Sequence, residues 1–209
     1  MKRIDVKRML VTVIVCLLPM IAGAVLYNQL PEQMAVHFNL NNEADNYASK
    51  AFAVFALPVF MALLQIFCCA SMDITRKEKK KKTKFEEVGI WIIPVLDIVC
   101  CFTLIGNALW EGFDIRRIIC LVLGLVYIVM GNYMPKMSYE VAKGIMHPVP
   151  KSEQSFRKMI RVLGYTFIIV GILLLISLFF AGYVTVAVIV FMLIAFAAES
   201  IWMISNDRK

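Results

Sequence analysis

The chain has 209 residues, of which 61% are hydrophobic and 18% charged, and its formal net charge is +7. This composition excludes an ordinary water-soluble domain, in which about 25% of residues are charged. The basic residues are distributed between apolar segments, and this distribution argues against a nucleic-acid-binding protein. We therefore predict one membrane-embedded unit without direct nucleic-acid contact.

Six apolar runs predict six transmembrane helices. Each run has about 17–25 residues, which is enough for a helix to cross a hydrocarbon core of ~30 Å. The predicted fold class is therefore an all-α, polytopic membrane protein with six transmembrane helices. The runs are Met9–Tyr27, Phe52–Met72, Val88–Trp110, Ile118–Met134, Val162–Phe180 and Val184–Ile204.

The first run has a second interpretation as a secretory signal peptide. Basic residues precede it, and Ala22, Gly23 and Ala24 resemble a small-residue cleavage site. Its apolar stretch is longer than the ~7–15 residues of a typical signal. We expect the first span to be retained; cleavage would leave five spans in the same orientation.

The distribution of Lys and Arg predicts the orientation of the spans. Nineteen of the 22 lie before the first run, in the second and fourth connectors, or at the end of the chain. Only Lys50, Arg116 and Arg117 lie in the other connectors. Because basic loops stay on the cytoplasmic side, both termini are predicted to be cytoplasmic. The polybasic second connector, 76–84, is a solvated anchor, an anionic-lipid contact or a partner-binding segment.

The first connector, residues 29–50, is predicted to be external and ordered. Met34, Val36 and Phe38 alternate with less apolar residues, which is typical of a short extended segment. Asn41 and Asn42 then predict a turn, since Asn tolerates left-handed backbone angles. We expect a structured lid on the outer face.

The last two spans are predicted to form an antiparallel hairpin, because only a tight turn around Gly182 separates them. The fourth connector, residues 135–161, is predicted to be long and cytoplasmic. In it, Pro148 and Pro150 predict a break, and Ser152 is a candidate cap for a short amphipathic helix that leads into the fifth span.

Two carboxylic acids lie within the apolar runs. Asp97 is near the middle of the third run, three residues after Pro94. Because a carboxylate in hydrocarbon costs several kcal/mol on most scales, Asp97 is either a proton, ion or ligand site, or a protonated group bonded to Gln65 or Asn107. Glu199 is close to the cytoplasmic end of the last run, and we expect it to reach the membrane interface.

The remaining reactive residue types argue against catalysis. His37 and His147 are predicted on opposite sides of the membrane and cannot share a metal. The six cysteines all lie within the runs and are interpreted as small apolar filler. No HExxH, GxSxG, P-loop or GxGxxG motif is present. We therefore predict a protein that is not an enzyme and has no catalytic residues, metal or cofactor.

The first connector resembles a known family pattern. It reads Leu30-Pro31, then His37-Phe38-Asn39, then Asp45 and a closing Ser49-Lys50. This is similar to the N-terminal domain of unknown function in SdpI-type bacterial membrane proteins, with Asn42 where the family usually has Gly. The resemblance implies an N-terminal two-helix unit over residues 1–85.

The second segment with this resemblance lies in and after the fourth run. It is similar to the C-terminal SdpI signature and implies a four-helix unit over residues 86–209. The Arg and Trp that commonly follow Ile145 are replaced by Met146 and Val149. The matching residues are Gly131, Asn132, Pro135, Lys136, Gly144, Ile145, Pro148 and Arg161.

The resemblance implies a function in the bacterial plasma membrane. The family's best-understood role is immunity to a secreted, membrane-active killing peptide, in which the immunity protein also acts as a receptor that holds a transcriptional repressor at the membrane. The implied partners are the lipid bilayer, a hydrophobic peptide toxin outside and a repressor protein at the cytoplasmic face. The candidate ligand-binding residues are Pro31, His37, Asn39, Asp45, Lys50 and Asp97.

Two other functions remain open. One is a small-molecule or proton-coupled transporter that uses Asp97 as a site at the bilayer midplane. Against it, the six spans show no obvious repeated halves. The other is a membrane scaffold whose polybasic connector gathers lipid or protein partners.

Overall fold

A computed structural model of the chain describes residues 4–39, 41–75, 82–110, 114–145 and 149–206. Short 3₁₀ turns at Tyr27–Gln29 and Met134–Lys136 and a π-helical turn at Phe52–Ala56 adjoin the longer helices. The helices are α1 Val6–Leu26, α2 Leu57–Thr75, α3 Lys84–Gly89, α4 Ile92–Leu109, α5 Ile115–Tyr133, α6 Tyr139–Ile145, α7 Glu153–Ser177 and α8 Gly182–Asn206; the strands are β1 Gln33–Phe38 and β2 Ala44–Ser49.

In the described part of the chain, six helical segments are long and apolar enough to cross a membrane, which confirms the predicted all-α, six-span class. The helix that carries the fifth span begins at Glu153, nine residues before the predicted apolar run at Val162. Helix α7 begins at Glu153 because Ser152 accepts a hydrogen bond from the backbone N–H of Ser155 and so caps one continuous helix. The predicted short amphipathic helix is therefore the first part of α7.

The chain forms two compact units. The hairpin unit contains Ile4–Ala70 and Ile90–Val122, and the α7–α8 unit contains Ser71–Gly89 and Leu123–Lys209. The helices that begin at Leu57 and Ile115 each contribute to both units. The division between residues 85 and 86, which follows family resemblance, stays a prediction.

In the hairpin unit, α1 packs against α4 with one face of its helix. Thr12, Cys16, Pro19 and Gly23 are buried at spacings of three and four residues, as one helical face requires. The opposite face carries exposed Leu, Ile and Val side chains. An apolar outer face of this kind is stable in lipid, where exposed hydrocarbon is not penalised.

The predicted extended segment is a β-hairpin. Strands β1 and β2 pair antiparallel, with Met34 opposite Ala48 and Phe38 opposite Ala44. The register is irregular around His37. Asn42 lies in the turn with φ 63°, which confirms that this position needs a residue tolerant of the left-handed region.

In the α7–α8 unit, the fourth connector folds around an apolar core of its own. Helix α6, which the sequence did not predict, buries Val141 and Ala142 against Phe156 of α7. The hydroxyl of Tyr139 lies 2.6 Å from the carbonyl oxygen of Pro150 and closes the connector. Residues 146–148, where part of the break was predicted, lie outside the described residues.

Helices α5 and α7 approach each other closely through two pairs of glycines. Gly131 lies opposite Gly164, and Gly124 lies opposite Gly171, so each helix carries its glycines seven residues apart. A Cβ atom added at Gly131 would lie 2.5 Å from the Gly164 carbonyl oxygen. Small residues at such crossings let backbones approach closely, which is a main source of helix association in lipid.

We predict that Gly131→Ala destabilises the protein by about 1–3 kcal/mol, the usual cost of overpacking a tight site. The clash is with backbone, so side-chain rotation cannot relieve it. Gly89→Ala is the matched control, because its added Cβ would meet only the end of Met72 at 3.8 Å. Thermal unfolding in detergent measures both, and equal stability of the two variants would contradict the close crossing.

Candidate functional site

The base of the hairpin is fixed by buried apolar contacts. Leu30 and Met34 pack in one cluster with Val54, at the start of the second span, and Ile105 of α4. Met34 is only 1% exposed. Burying side chains of this size contributes about 1.5–3 kcal/mol each, so the base of the hairpin is held by the helices below it.

Lys50 ties the end of β2 to the segment before β1. Its Nζ atom lies 2.8 Å from a carboxylate oxygen of Glu32 and 4.7 Å from the ring centroid of Tyr27. The Lys50 side chain is 14% exposed. This predicted ligand-binding residue therefore closes the base of the hairpin.

The turn of the hairpin is attached to the start of α5. Asn42 Oδ1 accepts a hydrogen bond from the backbone N–H of Ile115 at 2.9 Å and a longer one from Arg116. These N–H groups begin α5 and have no partner within the helix. The glycine usual at this position in the family would adopt the left-handed backbone but would provide no such cap. Only the backbone requirement was predictable from the sequence.

Asn39 organises the turn from within. Its Oδ1 atom accepts hydrogen bonds from the backbone N–H groups of Asn41 and Glu43, and its Nδ2 donates to the Glu43 carboxylate at 2.8 Å. This pattern is typical of Asn in tight turns. The family residue Asn39 thus has a clear role in the local fold.

His37 and Asp45 are brought together on the exposed part of the hairpin. His37 Nδ1 lies 2.5 Å from Asp45 Oδ1, across the two strands. The side chains are 68% and 43% exposed, respectively. Pro31, another candidate, is exposed just before β1. Among the six candidates, His37 and Asp45 form an exposed polar pair on the hairpin.

Asp97 lies away from the hairpin, in the interior of the same unit. It is eight residues before Ile105 on α4, which corresponds to about 12 Å along the helix axis. Its side chain is fully buried, and the Sγ of Cys101 lies 3.4 Å from its Oδ1. Within the described ranges, Oδ2 has no hydrogen-bond partner.

Gln65 satisfies a backbone group that Pro94 leaves free. In an unbroken helix the carbonyl of Ile90 would accept from the N–H of residue 94, but proline has none. Gln65 Nε2 donates to this carbonyl at 3.0 Å. The amide of Gln65 is therefore directed to Ile90, and neither it nor Asn107 bonds to Asp97 in the described part of the chain.

Two of the buried cysteines lie beside these polar groups. Cys69 Sγ is 3.4 Å from Gln65 Nε2 and 3.8 Å from the hydroxyl of Thr12, and Cys101 contacts Asp97. Cys16 is also fully buried, on α1. Thiols at these positions serve as weak hydrogen-bond partners, a role beyond apolar filler. In the described residues, no three Cys, His or acidic side chains are arranged to hold a metal.

The second family motif, which is predicted to be cytoplasmic, divides into structural and exposed residues. Gly131 is buried at the α5–α7 crossing, whereas Asn132, Lys136 and Arg161 are exposed. The Nζ of Lys136 lies 4.3 Å from the ring centroid of Tyr133. Gly144 and Ile145 end α6, and Pro148 lies outside the described residues. Pro135 is half-buried in the 3₁₀ turn after α5.

Arg157 has a structural role that was not predicted from the sequence. Its Nη1 donates to the carbonyl of Met137 at 3.1 Å and, at 3.5 Å, to that of Pro135, while Nη2 lies 3.2 Å from Glu153. It thereby satisfies carbonyls in and directly after the 3₁₀ turn Met134–Lys136, which follows α5. The spacing of Glu153 and Arg157 in the sequence could have indicated this role in part, because opposite charges four residues apart on a helix are neighbours.

These elements define a multi-pass helical membrane protein with an ordered hairpin between its first two spans. Residues 14–62, which include that hairpin, match the family model described as "Domain of unknown function (DUF1648)". The chain is also 25% identical over 197 residues to the immunity protein SdpI of Bacillus subtilis (strain 168), covering 93% of each protein. No solved structure matches. The two matches confirm the resemblance to the SdpI-type family.

We predict that the effect of removing the Gln65 amide depends on Pro94. Gln65→Leu should destabilise the protein by about 1 kcal/mol, the usual range of a hydrogen bond between helices in a membrane. In a Pro94→Ala background the helix regains an N–H for the Ile90 carbonyl, so the same change should cost less. Thermal unfolding in detergent of the unmodified protein, the two single variants and the double variant gives the coupling free energy between Gln65 and Pro94.

The matched control for this cycle is Gln154→Leu, at an exposed position of α7. It should show no dependence on Pro94. Additive effects of Gln65→Leu and Pro94→Ala would mean that the Gln65 amide does not serve the freed carbonyl.

Proposed function

We propose that this chain is a non-enzymatic immunity protein that binds a secreted, membrane-active peptide at its predicted outer face. The observation that supports this most is the hairpin, which is held at its base by buried contacts and at its turn by Asn42, while His37 and Asp45 stay exposed. The relative from Bacillus subtilis, described as an immunity protein, supports the same class of function.

An anchored hairpin is a suitable surface for a hydrophobic peptide. Its backbone is ordered before binding, so association does not have to meet the full entropic cost of ordering a loop. The adjacent exposed Tyr47 offers an apolar contact, and the His37–Asp45 pair offers hydrogen bonds. We propose that these three residues contact the peptide, whereas Asn39 and Lys50 keep the hairpin in shape.

We further propose that the fourth connector is where a cytoplasmic repressor protein would dock. Lys136, Lys143 and Arg161 are exposed there and would attract an acidic partner surface. The missing Arg and Trp after Ile145 suggest a partner different from that of the family's best-understood member, or weaker signalling than protection.

Proton-coupled transport is the second candidate, and Asp97 is the observation that favours it. A fully buried acid in a membrane span, with an oxygen that no described donor serves, is a common feature of proton pathways. In this alternative, replacing Asp97 would abolish function, whereas binding-based immunity does not require it.

We predict that expression of the protein raises the survival of a sensitive bacterium exposed to the cognate membrane-active peptide. The double variant His37→Ala/Asp45→Ala should lower the highest peptide concentration that the cells survive by about tenfold or more. This is the effect of losing about 1.4 kcal/mol of binding free energy. Protection should saturate with peptide dose, since each copy binds a limited amount. Dose–survival curves at equal membrane levels provide the measurement.

Lys84→Ala with Glu87→Ala is the control, because it removes another exposed ion pair with a 2.7 Å separation. It should leave protection unchanged. Normal protection by the His37/Asp45 variant would exclude recognition at this pair. Full loss of protection in Asp97→Asn at normal membrane levels would favour the transporter.

A further inference from the structure

An apolar groove lies between α7 and α8, within the α7–α8 unit. It has a cavity volume of about 240 Å³. A cavity of about 150 Å³ is large enough to bind benzene, so this groove has room for one ring with a short substituent. Leu163 and Phe167 of α7 line one side, and Phe196 and Trp202 of α8 line the other.

Glu199 and Ser200 are the polar residues of the lining. The Ser200 hydroxyl donates to the carbonyl of Phe196 at 2.8 Å, in its own helix, and is therefore already used. Glu199 is different, because only one of its oxygens is served: Oε1 accepts a hydrogen bond from the hydroxyl of Thr166. Oε2 is shielded from solvent, and no described residue donates to it.

The carboxylate also has no cationic partner among the residues whose positions the structure describes. An acidic side chain in a span usually faces a partner or a ligand, since its charge is costly in hydrocarbon. The terminal torsion of Glu is broad, so a small rotation turns Oε2 towards a donor in the groove. The expected donor is a group with N–H bonds and positive charge.

The aromatic lining favours the same kind of ligand. The rings of Phe167 and Phe196 are 5.2 Å apart between centroids, and Tyr127 extends this aromatic group at 4.9 Å from Phe167. Aromatic faces attract cations in addition to burying apolar groups. Trp202 lies at the groove and is half-exposed, so it can respond to an occupant.

We propose that this groove binds a small lipophilic amine in its protonated form, with the ammonium group on Glu199 and the apolar part between Phe167, Phe196 and Trp202. Charge complementarity selects the amine over neutral molecules of the same shape. The site consists of α7 and α8 alone and is independent of the proposed immunity function, which rests on the hairpin.

The fluorescence of Trp202 tests the proposal in the full-length protein in detergent. Trp91→Phe and Trp110→Phe leave Trp202 as the single tryptophan of the chain. The probes are 2-phenylethylamine at neutral pH and 2-phenylethanol, which has the same ring and chain length without the charge. The amine should saturate with a Kd at least about tenfold lower than that of the alcohol, as expected for a charge-assisted hydrogen bond.

Glu199→Gln keeps the size of the side chain and an acceptor for Thr166, and it should abolish the preference for the amine. Glu153→Gln, which changes an exposed carboxylate elsewhere on α7, should keep that preference. Equal affinities of amine and alcohol for the unmodified groove would overturn the proposal, and so would a preference that survives Glu199→Gln.

Leu163→Phe provides a second test that does not alter the carboxylate. It fills the groove with an apolar side chain and should remove saturable binding of the amine while the protein elutes as before in size-exclusion chromatography. Unchanged saturation in this variant would place the amine outside the groove and overturn the proposal, whatever the folding behaviour of Glu199→Gln.

Discussion

The hydrogen bond from Gln65 to the carbonyl of Ile90 illustrates the constraint on which the rest of the fold depends. In hydrocarbon no water is available, so each backbone polar group needs a partner within the protein. Pro94 removes one donor from α4, and a side chain from α2 replaces it at 3.0 Å. Side chains serve backbone groups in the connectors as well: Arg157 donates to the carbonyls of Pro135 and Met137, and Asn42 caps the start of α5.

This constraint also links the membrane helices to the proposed function. The hairpin is the part of the hairpin unit where backbone groups are paired between strands, and both of its ends are held by helices. Its turn caps a helix, and its base fills an apolar cluster. The helices thus supply the rigidity on which the proposed recognition by His37 and Asp45 depends.

Much of the fold was predictable from the sequence, because span length and the period-2 alternation before Asn41 are strong local signals. The left-handed turn at Asn42 was predictable for the same reason, since few residue types tolerate it. The partners of Asp97 and Gln65 were not predictable, because they depend on how separate helices rotate and pack. Helix α6 was missed since its burial against Phe156 arises only once the connector folds back.

The contacts of Glu199 could not be predicted from its position along the span. Its location near a span end predicts an interfacial side chain, which stays a prediction, and the structure adds that the Thr166 hydroxyl donates to it and that Oε2 is shielded from solvent. Only the pairing of α7 with α8 brings these groups together. The pairing itself was predictable from the short turn around Gly182, and the contacts within it were not.

We propose that the ordered hairpin faces outward and the fourth connector faces the cytoplasm, and the proposed function depends on this orientation. Labelling of single introduced cysteines in intact cells with a membrane-impermeant maleimide tests it most directly. Asn41→Cys, in the exposed turn, should be labelled, and Gln154→Cys, exposed at the start of α7, should be labelled only after the cells are opened. Labelling of Gln154→Cys but not Asn41→Cys in intact cells would reverse the orientation and contradict recognition of an external peptide by the hairpin.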